Sequence, residues 1–222
     1  MVLVGCGVTA LPEQEAASDS TTTTTSVVPA SVLATDSPNA PRPETPLTVP
    51  LSLYLMQDSA GTESPLSSRR TEDGLAIIAE NMGVVWSQAN VIFDPINIAT
   101  ITAPTDVLQA IATGLDTGAF FDQVGRTFDI PDPSAVNGFY LRTAGRVNGF
   151  APTGSRVFFV IDEPSVHDER VSSHEVGHIF GLHHQLEDPG TLMFSGTNGT
   201  VLTQDEIVVA RYTAQGVLDG VR

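Results

Sequence analysis

Residues 174–184 read His174-Glu175-Val176-Gly177-His178-Ile179-Phe180-Gly181-Leu182-His183-His184. On an α-helix, positions i and i+4 lie about 40° apart in rotation and about 6 Å apart along the axis. His174 and His178 therefore project side by side, and both reach one ion at about 2.0–2.1 Å per nitrogen. Glu175 sits about 100° round the helix from His174, beside the ion rather than on it, where a general base belongs. Val176, Ile179 and Phe180 point the other way, toward a core. Gly181 can take φ > 0 and end the helix, so the chain turns and His184 swings back as a third ligand. Three neutral imidazoles leave a fourth position for water, which is a catalytic arrangement rather than a closed structural one. His183 competes for the third place. The Gly-x-x-His spacing favours His184 and leaves His183 facing solvent or behind the ligands. Of the 5 His in the chain only His167 remains, too few for a second His-rich zinc site. Ser165, three residues before Asp168, reads as a capping box opening this helix.

Working outward, Arg156–Asp162 is a strand whose unbroken apolar run suits the middle of a sheet. Two short strands precede it, Gly138–Arg142 and Arg146–Ala151, after an Asp-, Gly- and Pro-rich loop over residues 116–136. Thr105–Thr113 is a short helix. Ile96–Ala103 and Ala89–Phe93 read as two strands, the latter ended by Asp94-Pro95. Thr71 caps a longer helix, with Glu72 and Asp73 at the positive end of its dipole. Leu75, Ile78, Ala79, Met82, Val85, Trp86 and Ala89 form its apolar stripe. Leu47–Met56 is the first strand of the domain. At the other end, Thr203 and Glu206 form a capping box for a last helix. This order gives an α/β (α+β) fold: a twisted mixed sheet, a long packing helix, a helix carrying the His pair and a C-terminal helix.

The chain has 222 residues, with Lys+Arg 10 against Asp+Glu 26 and a formal charge of −16. Such a balance excludes nucleic acid as a partner, since phosphate binding rests on basic residues. It equally excludes electrostatic docking on anionic lipid. A monomer is expected. The single Cys leaves no disulfide framework and no Cys-based zinc cluster. No apolar run is long enough to span a bilayer. Residues 7–46 hold Thr21 to Thr25 in a row and Pro29, Pro38, Pro41, Pro43 and Pro46. This composition cannot offset its ordering entropy and reads as a disordered tether. Residues 47–222 form the domain. Calcium at Asp129 or Asp132 in the acidic loops is a secondary reading; solvated acids are the expected case, and no calcium site is predicted.

Leu3-Val4-Gly5-Cys6 resembles the lipobox of bacterial lipoproteins, in which the Cys is lipidated. The resemblance implies a signal remnant over residues 1–6, an anchor at Cys6 and membrane attachment through lipid alone. It also implies an extracellular or cell-envelope location. Only five residues precede Cys6, shorter than an ordinary signal peptide. A plain free Cys and a thiolate that blocks a zinc enzyme are the other readings.

The stretch 174–184 resembles the zinc signature of the metzincin metallopeptidases, and its Gly177 and Leu182 are most similar to the matrixin group. Thr191-Leu192-Met193 resembles the family's Met-turn, which implies that Met193 forms an apolar floor beneath the ligands. Gln185 stands where matrixins usually have Ser, and no Tyr closely follows Met193. The resemblance implies one catalytic Zn²⁺ held by His174, His178 and His184, with Glu175 as the catalytic residue of an endopeptidase acting on proteins or peptides. It implies an antiparallel edge strand that pairs with extended substrate. Arg146–Ala151 is the candidate, placing Val147, Asn148, Gly149 and Phe150 along the substrate. A pocket between the zinc helix and residues 193–202 would choose the side chain after the cut. The alternative function is a surface binding or adhesion protein with a structural or inactive zinc site.

Overall fold

A computed structural model describes residues 3–7, 45–114, 116–164, 167–196 and 199–220. Six strands form one sheet: β1 (Leu3–Gly7), β2 (Leu47–Asp58), β3 (Val91–Ala103), β4 (Val136–Leu141), β5 (Val147–Pro152) and β6 (Val157–Ile161). Their spatial order is β1-β5-β6-β4-β2-β3. Strands β3, β2, β4 and β6 run parallel, and β5 and β1 are each antiparallel to their neighbours. The long helices are α1 (Glu72–Trp86), α2 (Thr105–Gly114), α3 (Asp168–Ile179) and α4 (Gln204–Leu218). The mixed α/β architecture is therefore present.

Strand β2 shows why the sheet is covered on both sides. Leu51, Leu53 and Leu55 bury into a core shared with α1, α3 and α4. The alternate residues Tyr54 and Met56 bury into a second core with Val107, Leu108 and Ile111 of α2 and with Phe120, Phe139 and Phe159. A strand buried on both faces reads as a continuous apolar run because neither set of alternating side chains meets water. The stripe expected on α1 is the buried face, from Leu75 to Trp86. Trp86 meets Phe180 edge-on at 5.1 Å, which joins the end of α1 to the end of α3.

Two of the three expected caps form. Thr71 accepts from the Gly74 amide at the head of α1, and Thr203 and Glu206 make a reciprocal capping box on α4. Four expectations need correction. Asp94-Pro95 does not end a strand: β3 continues to Ala103, and the register against β2 slips between Leu51 and Ser52 so that Ile96 is the extra residue. A sheet-edge strand tolerates Pro because the missing N–H has no neighbour to serve. Within residues 116–136, 118–128 form short helical turns rather than a bare loop. Helix α3 starts at Asp168 with His167 at its N-cap and no side-chain cap. Its start is held by Arg70 instead, and Ser165 lies outside the described residues.

The fourth correction bears on function. Strand β5 is antiparallel to β6 as expected, but it is not at the edge of the sheet. Residues 3–7 pair with it on the far side: Leu3 with Pro152, Val4 with Ala151, Gly5 with Phe150 and Gly7 with Val147. Proximity in sequence carries no trace of this pairing. The tether expected over 7–46 lies outside the described residues except for Gly7 and residues 45–46. Among the described residues, no helix is long and apolar enough to cross a membrane.

Candidate metal centre

Helix α3 is fixed at its start by charge. Arg70 pairs with Asp168, and its Nη2 also donates to the carbonyls of Ile161 at 2.7 Å and Asp162 at 2.8 Å. One guanidinium thus ties the end of β6 to the first turn of α3. Arg170, itself buried, performs a similar task two residues further on. Its Nη2 donates to Leu192 O at 3.1 Å and Phe194 O at 2.6 Å, and its Nε to Gly199 O at 3.3 Å. The planar donor fork of Arg suits this threefold capture of carbonyls.

The end of α3 is a Schellman motif: Gly181 N donates to His178 O and Leu182 N to Gly177 O. Gly181 has φ +82°, a conformation most side chains resist. This reversal brings His184 back over the helix. His184 Nε2 lies 3.1 Å from His174 Nε2 and 3.2 Å from His178 Nε2. Tetrahedral ligation at about 2.0–2.1 Å per bond sets nitrogens about 3.3 Å apart. Among the described residues, His174, His178 and His184 are the one group of three metal-ligating side chains within reach of a common ion. His183 is exposed and outside this group.

The donor chemistry also fits. His174 Nδ1 is 2.7 Å from Leu192 O, and His178 Nδ1 is 3.0 Å from Leu182 O. A carbonyl only accepts, so each Nδ1 carries the proton and each Nε2 directs a lone pair inward. That is the tautomer a divalent ion selects. Burial holds the His174 imidazole well below its usual basicity, with the Arg170 cation adding to the effect. Burial likewise lowers His178, to about 4, and lowers His184. All three rings are therefore neutral at pH 7, as ligation requires.

Glu175 is fully buried. Strand β5 crosses directly above it: a Cβ on Gly149 would stand 3.0 Å from Glu175 Cγ and 2.9 Å from Val171 Cγ1. Glycine at 149 is what allows this approach. Met193 is also fully buried, and its Sδ would stand 2.5 Å from a Cβ on Gly177. The floor expected of Met193 thus rests on the helix backbone between the two ligating His. Gln185 ties the ligand loop down: its N donates to Met193 O at 3.1 Å, and its Oε1 accepts from the amides of Glu187 and Asp188.

The four residues proposed to line substrate separate. Gly149 touches Glu175, and Val147 and Asn148 are half-buried. Phe150 is a correction: its ring is buried in the second core and stacks on Phe159 at 4.6 Å, and its backbone stands between Gly5 and Phe159 in the sheet. Asp132 accepts from the amide and hydroxyl of Ser134. Residues 197–198 of the expected side-chain pocket lie outside the described residues. Cys6 lies within β1. Sequence reading missed Arg70 and Arg170. Arg170 does have a signal: it stands four residues before His174, on the ligand face of the helix.

No family model matches the chain, and no curated protein matches it. A solved structure described as a chaperone-substrate complex is similar in fold. The likeness covers 79% of this chain and 35% of that one, at 15% sequence identity and a TM-score of 0.51. The chain thus spans about a third of that neighbour's length, and at this identity the likeness concerns the fold alone.

Proposed function

We propose that this chain is a zinc-dependent endopeptidase of metzincin type, with one ion held by His174, His178 and His184. The observation that carries the reading is the convergence of three Nε2 atoms at 3.1–3.2 Å contacts, two of them with Nδ1–H locked outward onto carbonyls. Zinc bound there would supply Lewis acidity and a water acidified to a pKa of about 7. Glu175, next to His174 and shielded from bulk water, takes the proton of the attacking water and passes it to the leaving amine nitrogen. Met193 and Arg170 keep the ligand rings in place from below. An extended peptide pairs with β5 through main-chain hydrogen bonds, in the place that residues 3–7 take in this structure. Of the proposed lining residues, Gly149 sets how near that peptide comes to Glu175.

The lipobox-like Leu3-Val4-Gly5-Cys6 supports an extracellular or cell-envelope enzyme, anchored through Cys6 where that residue is lipidated. The experiment is cleavage of casein and a quenched-peptide library by the zinc-loaded chain, with and without chelator, beside Glu175→Ala. Chelator-sensitive cleavage that disappears in Glu175→Ala supports the endopeptidase. Zinc retention with no turnover of any peptide assigns a binding or adhesion module instead.

A further inference from the structure

A cavity of about 900 Å³ opens at the end of the sheet where β4 and β6 begin. Residues 121–133 form one wall, and the turn from β5 into β6, Gly154 to Val157, forms another. Phe121 reaches both the cavity and the second core, meeting Phe139 and Phe159 each at 6.2 Å. The metal helix packs in the other core, through Val171 and Val176. The first wall is braced from within. Residues 121–125 make a π-helical turn, a rare geometry found mostly at functional sites. Ile130 N donates to Gly125 O at 3.0 Å, and a Cβ on Gly125 would stand 2.7 Å from Ile130 O. Asp129 holds a left-handed φ of 54°, which a non-glycine residue keeps only where its surroundings impose it. Asn137 is fully buried. It accepts from Asp132 N and donates to Asp132 O and Ala135 O, each at 2.8 Å, which pins this stretch to β4. The cavity is therefore preformed, and its volume falls in the range of ligand sites.

Its chemistry suits an aromatic ring. Phe121, Ile130, Pro131 and Val157 supply apolar surface, and Arg126 and Arg156 stand among them. Arg126 pairs with Asp122, and Arg156 donates to Pro133 O at 2.5 Å. A guanidinium bonded through its edge still offers its flat face to a ring. Asp129 and Asp132 line the cavity too and balance the two cations, so charge does not select an anion. The peptide track on β5 leads toward it. Leu3 pairs with Pro152 and Gly7 with Val147, so a peptide in that place has its N-terminal end at Pro152. About two or three further residues, at 3.3 Å each, carry it alongside Gly154 to Arg156, the wall of the cavity.

We propose that this cavity is a distal substrate subsite, which takes an aromatic side chain lying upstream of the peptide residues paired with β5. The inference rests on the endopeptidase reading for the peptide and on the cavity alone for the ring. It makes the cleaved proteins those that carry an aromatic residue at a fixed distance before the cut.

The test uses the zinc-loaded full chain and a quenched peptide that it cleaves. That peptide is extended at its N-terminal end by a Gly/Ser run, and one Phe is walked through the run. One position of Phe should raise kcat/KM about tenfold or more, the scale of burying one aromatic side chain, through KM with kcat unchanged. No gain at any position overturns the proposal, even where cleavage is robust. Arg126→Glu and Phe121→Leu should each erase most of the gain and leave cleavage of the unextended peptide as it was. A gain kept in both variants overturns the proposal. A binding arm needs no turnover: N-acetyl-phenylalaninamide is titrated into the full chain and followed by amide NMR. Shifts should gather at residues 121–129 and 154–157, leave 174–184 still, and weaken in Arg126→Glu. No shifts, or shifts only elsewhere, overturn the proposal. Should no peptide be cleaved while the shifts appear at the cavity, the endopeptidase reading fails and the aromatic site stands.

Discussion

The two halves of α3 hold the same helix by different means. Its second half, from His174 to the turn at Gly181, presents imidazoles that meet a third one within ten residues along the chain. Its first half is tied down by Arg70, 98 residues away from Asp168, and by Arg170 reaching the carbonyls of residues 192, 194 and 199. The chemistry is local, and the rigidity that serves it is assembled from distant pieces. A metal centre needs both, because ligands must be held close to their working geometry before the ion arrives.

Removing chemistry from the second half should have the largest effect. Glu175→Ala is expected to keep zinc and lower peptide cleavage by about 10²–10⁴-fold, measured as kcat/KM with metal content checked in parallel. Wild-type turnover in that variant takes Glu175 out of the mechanism.

Removing support from the first half should act on stability. Arg170→Met removes a donor from Phe194 O and Gly199 O while Leu192 O keeps His174 Nδ1, and about 1–3 kcal/mol attaches to each buried group so stranded. Relaxation reduces the sum, and a loss of about 3 kcal/mol in urea unfolding is expected. Zinc affinity should weaken with it, because Leu192 O orients His174 as well. A variant as stable as wild type would separate the two halves.

Acid should distinguish them too. His174 and His178 are depressed by burial, His178 to about 4 from 6.5. Between those values the unfolded chain binds more protons than the folded one, so stability rises with pH. The metal-free protein should hold this contribution in full above pH 6.5 and lose it as pH falls toward 4. His178→Gln should flatten the slope; a metal-free stability independent of pH in this window contradicts neutral buried rings.

The smallest contrast concerns two helical glycines. Gly177→Ala forces a methyl onto Met193 and should cost about 1–3 kcal/mol through overpacking. Gly83→Ala in α1 meets nothing within 4 Å and should gain up to about 1 kcal/mol from helix propensity. Similar melting shifts for the pair would mean that Met193 does not press on the helix.

The same contrast explains what the sequence disclosed. His174, Glu175, His178, Gly181 and His184 were readable because helical periodicity and one left-handed residue convert spacing into direction. The stripe on α1 and the box at Thr203 and Glu206 were readable for the same reason. The continuation of β3 past Pro95 was hidden, since tolerance of Pro depends on which edge a strand occupies. The seat of residues 3–7 on β5 was hidden as well, because strand pairing is set by main-chain groups that every residue shares. Phe150 looked like a lining residue by position and is a core residue by facing, a distinction that alternation alone could not settle without knowing which side of β5 is dry.

Zinc titration by competition with a chromophoric chelator tests the centre most directly, on the wild-type chain, His183→Ala and His184→Ala. The account predicts one ion per chain for wild type and His183→Ala with equal affinity, and binding weakened at least about 100-fold, the scale of a lost ligand-sphere contact, in His184→Ala. Undiminished binding by His184→Ala, or none by the wild-type chain, would contradict it.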